Sequence, residues 1–151
     1  MEIVYIDPKN FHFPGDGEDL EPKDARYSEI VARADGFLIV TPEYNHSFPG
    51  TLKRMLDSEF AYYKHKAVAV CGASDGDWGG TRAVEPLLPP LRALGLIVSK
   101  NSSYFTHVDK LFGEGGVIAE ELKEEYTKSI GGVYKELLWL TRALKYAREQ
   151  G

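Results

Sequence analysis

A single cysteine, Cys71, stands in the 151 residues of the chain. It excludes an internal disulfide and fits a reducing, cytoplasmic compartment. Positive charge is scarce as well: 18 Lys and Arg face 23 Asp and Glu, for a net charge of −5. That balance argues against a nucleic-acid surface, which needs clustered Lys and Arg. No apolar run approaches the ~18 residues of a membrane span. The start of the chain shows no basic patch followed by an apolar stretch, so no signal peptide is expected. The four histidines, His12, His46, His65 and His107, are scattered without metal-ligand spacing. There are no repeats, no readable Ser-His-Asp arrangement, no G-x-G-x-x-G and no G-x-x-x-x-G-K-[ST]. What is present, 43% hydrophobic residues, suffices for the core of one domain spanning 1–151.

Apolar runs alternate with helical patterns along the chain. Glu2 to Ile6 reads as a short strand ended by Asp7-Pro8, followed by a polar loop from Asn10 to Lys23. Asp24 to Ala34 suits a helix with Tyr27, Ile30 and Val31 on one face. Phe37 to Val40 is a continuous apolar run, the pattern of a strand buried on both faces. Pro49-Gly50 opens a helix striped by Phe48, Leu52, Met55 and Leu56. Lys66 to Cys71 is a second buried strand, and Gly72 to Gly80 a glycine-rich loop. Thr81 to Leu94 has helical spacing, but Pro86, Pro89 and Pro90 predict a kink or break. Leu96 to Ser99 reads as a strand and Thr106 to Gly116 as irregular. The last segment begins with Glu120, Glu121, Glu124 and Glu125 and ends with Arg142, Lys145 and Arg148, which suits a helix dipole. Gly131-Gly132 is expected to divide it. Trp139 reads as core, and Cys71 as a small core residue rather than a nucleophile.

Strands alternating with helices imply a parallel sheet with helices on both faces. Ligands then bind at the carboxyl ends of the strands. Two unusual loops, Thr41 to Gly50 and Gly72 to Gly80, leave such ends and are expected side by side. The first offers main-chain amides, the Asn45 amide and the face of Tyr44. The second offers glycines that let a flat ligand approach the backbone, and Trp78 to cover it or to pack against another subunit. A planar heterocycle with polar edges suits this set. The plainer reading is a turn in which Asn45 and Ser47 bond the local backbone. His46 reads as loop lining.

The sequence from Pro42 to Gly50, Pro-Glu-Tyr-Asn-His-Ser-Phe-Pro-Gly, followed by Leu52-Lys53, resembles the NAD(P)H-dependent FMN reductases of the flavodoxin-like fold. Gly79-Gly80-Thr81-Arg82-Ala83-Val84-Glu85 is similar to a second segment of that family, and Glu136 to Leu144 to its last helix. The resemblance implies a three-layer α/β/α sandwich around a parallel sheet, a non-covalent FMN and NAD(P)H as reductant. It implies that Pro42, Glu43, Tyr44, Asn45 and Ser47 line the flavin ring, with main-chain amides on its pyrimidine edge. Ser74, Gly79 and Gly80 would lie beside the same ring. No side chain is assigned a catalytic role, because the flavin carries the chemistry. Partners implied are a small-molecule electron acceptor and a second copy of the chain, docked through the helix that starts at Pro49 and carries Lys53.

From Met1 onward the chain matches the family's second strand. Its first strand, phosphate-binding loop and first helix have no counterpart here, so an N-terminally shortened fold and weakened FMN binding are expected. Three arrangements fit: a shortened chain, a separate polypeptide supplying the unit, or the N-terminal strand moved to the centre of the sheet. The rival function is a flavin-less domain acting as a binding or assembly module.

Overall fold

A computed structural model describes residues 1–14 and 22–151. The middle of the expected Asn10–Lys23 loop therefore lies outside the described residues. At the centre is β2, Ala67–Ala73, with β1, Gly36–Pro42, parallel on one side. Two short strands, β3 (Ile97–Val98) and β4 (Ser103–Phe105), run parallel on the other. β3 pairs with the start of β2 and β4 with its end, so they form one interrupted strand. At the interruption the Glu136 carboxylate accepts from Lys100 N and Asn101 N, both at 3.0 Å, which satisfies amides that the ladder leaves unpaired. β4 was not legible as a strand, because it has three residues and takes its hydrogen bonds from β2 alone.

Alternation along β2 sorts the two faces. Val68 and Val70 enter the larger core beneath α1 (Ala25–Arg33), α2 (Gly50–Asp57) and α3 (Thr81–Ala93). Ala67, Ala69 and Cys71 face the last helix, which buries Val133 and Leu137 on them. Their small side chains admit that helix closely. Cys71 is fully buried, and burial pushes its thiol above the usual range. The short helix Val108–Leu111, here α4, follows β4, and the last helix is α5, Glu120–Gln150. No helix among the described residues is long and apolar enough to cross a membrane.

Five expectations are corrected. Glu2 to Ile6 forms no strand, and Ile3, Val4 and Tyr5 are exposed. The segment finds no strand to hydrogen-bond with, since β1 pairs only with β2 among the described residues. For the same reason β1 is not buried on both faces, and Val40 is 61% exposed. The Pro86-Pro89-Pro90 segment does not break α3. Pro86 and Pro89 lie on its exposed side, where water serves the carbonyls they leave unbonded, while Ala83, Val84, Leu87 and Leu91 hold the other side to the sheet. Helix α4 lies within the Thr106–Gly116 stretch expected to be irregular, where Lys110 N and Leu111 N both donate to His107 O. Gly131-Gly132 does not divide α5, which runs for 31 residues. Two glycines cost about 1 kcal/mol each in a helix, less than burial of Val133 and Leu137 returns.

Behind β1, a buried hydrogen bond joins the Tyr27 and Tyr63 hydroxyls. Burial, with the nearby Glu59 carboxylate, pushes Tyr27 up to about 12 and Tyr63 higher still. The folded state thus holds these protons more tightly than the unfolded chain. The resulting stability is complete below pH 10 and is lost as pH rises from 10 towards 12. For Tyr27 that amounts to about 2–3 kcal/mol across the window, at ~1.4 kcal/mol per unit. Urea midpoints measured from pH 8 to 12 should fall steeply above 10, and less steeply in Tyr27→Phe. Parallel slopes in the two proteins would contradict this assignment.

Candidate functional site

Both unusual loops emerge at the carboxyl edge of the sheet. The register that pairs Pro42 with Ala73 sets them side by side, and Glu43 N extends it by donating to Ala73 O at 3.0 Å. Beyond Glu43 the first loop closes on itself. Tyr44 N donates to Ser47 O at 2.8 Å and Ser47 N to Tyr44 O at 3.0 Å. Between them Asn45 and His46 take φ of 49° and 64°. Two left-handed central residues make a tight hairpin turn, where asparagine is among the few non-glycine residues well tolerated. The turn is closed by main-chain bonds of Tyr44 and Ser47, where side-chain bonds from Asn45 and Ser47 were the expected alternative.

Arg82, in the first turn of α3, ties this hairpin to the second loop. Its Nη2 lies 2.6 Å from Glu43 Oε1 and its Nη1 2.9 Å from His46 Nε2. As the guanidinium has only donors, His46 Nε2 accepts, which puts the imidazole proton on Nδ1. The same guanidinium sits 5.7 Å from the centre of the Trp78 ring. The Glu43 side chain is only 6% exposed. Its Oε2, like Arg82 Nε, is buried without a partner.

The glycines serve the fold. A Cβ on Gly80 would lie 2.4 Å from Ala73 N, and one on Gly72 2.8 Å from the carbonyl oxygens of Gly79 and Gly80. One on Gly79 would meet Tyr104 at 3.0 Å. Gly79 and Gly80 also have φ of +55° and +85°. These residues allow the loop to fold back onto the end of β2 and to start α3.

The expected ring-lining residues thus divide. Pro42, Glu43, Tyr44, Asn45 and Ser47 share one hairpin, and Tyr44 and Asn45 are exposed. Of their main-chain amides, Pro42 has none, and those of Glu43, Tyr44 and Ser47 are spent internally. Asn45 N, and His46 N beside it, make no bond to described residues. Gly80 N is likewise without one, at the start of α3. Ser74 is a brace: its N donates to Phe105 O at 3.0 Å and its Oγ to Gly76 O at 3.2 Å. Further out, His107 Nε2 stands 2.8 Å from Asp77 Oδ1 and holds the second loop to the residues after β4. Sequence reasoning passed over Arg82 as a site residue. Its signals were its place in the Gly79–Glu85 segment and an opposite charge on each of two loops, and which pairs meet depends on the register of β1 on β2. No cluster of three or more metal-ligating side chains occurs among the described residues.

Comparison with known proteins agrees with this geometry. A family model described as NADPH-dependent FMN reductase matches residues 1–110. A 2-hydroxy-1,4-benzoquinone reductase of a Burkholderia species is 32% identical over 120 residues, covering 75% of this chain and 66% of that protein. An NADPH azoreductase of Bacillus sp. strain OY1-2 is 30% identical over 115 residues, covering 72% of this chain and 63% of its own length. Among solved structures, FerB, a flavoenzyme NAD(P)H:(acceptor) oxidoreductase from Paracoccus denitrificans, superposes with a TM-score of 0.65 at 26% identity. It covers 78% of this chain, which in turn spans 67% of FerB. The chain therefore spans about two thirds of the length of these three proteins. These relatives give no support to the rival reading of a flavin-less module. The order of strands and helices, the paired loops at the carboxyl edge and the family match together place this chain in the NADPH-dependent FMN reductase family.

Proposed function

We propose that the chain provides the flavin-ring side of an NAD(P)H-dependent, FMN-using oxidoreductase that reduces a small acceptor such as a quinone. The observation that carries this reading is the hairpin clamp: Arg82 gathers Glu43, His46 and Trp78, and next to it remain a buried unpartnered carboxylate oxygen and the unspent amides of Asn45 and Gly80. The donor set fits the polar edge of an isoalloxazine. Asn45 N and Gly80 N are donors for ring oxygens, Glu43 Oε2 is an acceptor for a ring N–H, and Tyr44 and Trp78 are exposed flat faces. Bound FMN supplies hydride exchange between NAD(P)H and the acceptor. The chain's residues orient the ring: Arg82 fixes the hairpin, and the two left-handed residues keep Asn45 N unspent. Trp78, held on the guanidinium, bounds the acceptor side and keeps water out.

A visible spectrum during FMN titration tests the reading. Flavin bands that stay with the protein through gel filtration, and NAD(P)H oxidation with a quinone acceptor, are expected. Asn45→Pro, which removes the Asn45 amide and cannot take the φ of 49° that shapes the hairpin, should weaken FMN binding at least about tenfold. No retained flavin and no fluorescence change at high FMN would overturn it and return the flavin-less module as the better account.

A further inference from the structure

The Asn45-His46 turn carries a ring that the hairpin itself does not need. Two left-handed central residues favour Asn-Gly, yet His46, at φ of 64°, fills the second place. Its side chain is exposed and held by one bond, from Arg82 Nη1 to His46 Nε2 at 2.9 Å. That bond fixes the tautomer. The proton sits on Nδ1, where it has no partner among the described residues. The same guanidinium holds the Trp78 ring, 61% exposed, with 5.7 Å between the guanidinium carbon and the ring centre. One fixed cation therefore sets a flat aromatic face and an oriented N–H donor beside each other. Tyr44 and Asn45 are exposed on the same hairpin, but no hydrogen bond among the described residues orients either side chain.

We infer that His46 is a catalytic residue for quinone acceptors, with its Nδ1–H donating to the carbonyl oxygen that gains charge on reduction. The inference rests on the flavin-dependent reading above and adds the acceptor-binding group to it. A quinone matches the pair: a flat ring for the Trp78 face and an oxygen for the donor. The overall reaction is NAD(P)H + H⁺ + quinone → NAD(P)⁺ + hydroquinone. The nicotinamide C–H bond breaks, and its hydride, two electrons and one proton, makes the quinone a hydroquinone monoanion with the charge on oxygen. A proton from water then forms the second O–H. A donor already in place stabilises the anionic oxygen without reorganising at the moment of reaction. Because Arg82 occupies Nε2, the ring has no free nitrogen to take up a replacement proton. His46 therefore gives a hydrogen bond and keeps its proton. Ferricyanide takes electrons without forming an O–H bond and has no use for this donor.

Nitrogen NMR of the flavin-free chain and kinetics of the FMN-loaded chain test it. In the flavin-free wild type His46 should be protonated at Nδ1 and bare at Nε2, and Arg82→Ala should move the proton towards Nε2, the site that free imidazole side chains favour. In the loaded chain, His46→Gly suits the left-handed backbone and removes the donor. Its kcat/KM for 1,4-benzoquinone, divided by its kcat/KM for ferricyanide, should fall at least about tenfold below the wild-type ratio. A turn that merely shapes the hairpin would leave this ratio alone, since both acceptors draw on the same flavin. An unchanged ratio, or a wild-type His46 protonated at Nε2, overturns this inference and leaves the flavin reading standing. A wild type that retains no FMN overturns both together.

Discussion

Gly80→Ala is expected to destabilise the protein by about 3–4 kcal/mol, in the absence of any flavin. Gly80 has φ of +85°, and the methyl group would stand 2.4 Å from Ala73 N. The left-handed backbone alone costs a non-glycine residue ~1–2 kcal/mol. The clash adds ~1–3 kcal/mol, because the atom struck is main chain within the β2 ladder and cannot swing aside. Against a total stability of ~5–15 kcal/mol, this is a large share. Gly76→Ala is the matched control in the same loop: nothing lies within 4 Å of its Cβ and its φ is not positive. It should stay within ~0.5 kcal/mol of wild type, as surface changes do. Urea denaturation of the two variants decides the matter. Equal midpoints would mean that the fold does not require glycine at position 80.

The same residues show how far the sequence could be read. The glycine-rich loop and the hairpin were both legible, and so was their common edge, since alternating strands and helices dictate which ends coincide. That the fold itself needs Gly72, Gly79 and Gly80 was not. Close approach of backbone to backbone and of backbone to ligand demand the same residue, and only the fold shows which neighbour is present. Glu43 and Arg82 pose a related problem. They lie 39 positions apart, and no periodicity joins them; β1 must first pair with β2 in one register. The helices were read well wherever an apolar stripe existed and poorly where breakers were counted without their surroundings. Pro86 and Pro89 sit on the side of α3 that water can serve. Trp139, expected in the core, is 68% exposed. It was misplaced because α5 has a second apolar stripe, and a sequence does not reveal which of two stripes meets the sheet.

Arg82→Ala should cost about 2–3 kcal/mol of stability and, more tellingly, loosen the hairpin. Breaking a fully buried ion pair costs ~3–5 kcal/mol, because the remaining charge stays buried and uncompensated. Glu43 meets that condition at 6% exposure, but Arg82 is 41% exposed, so water screens part of the loss. If the cost comes from the stranded carboxylate, adding Glu43→Gln to Arg82→Ala should recover at least half of it, and a double-mutant cycle should show strong coupling. Arg82→Lys should recover little, since one ammonium cannot hold Glu43, His46 and the Trp78 face together. Additive costs in the cycle would mean that the pair does not act as a unit. FMN affinity separates the remaining accounts. If Arg82→Ala weakens FMN by much more than Gly76→Ala, which leaves the clamp whole, the guanidinium acts on the ring by holding Asn45 and Glu43 in place. If stability falls while FMN affinity stays at the wild-type value, the clamp only joins two loops, and the ring rests on other residues.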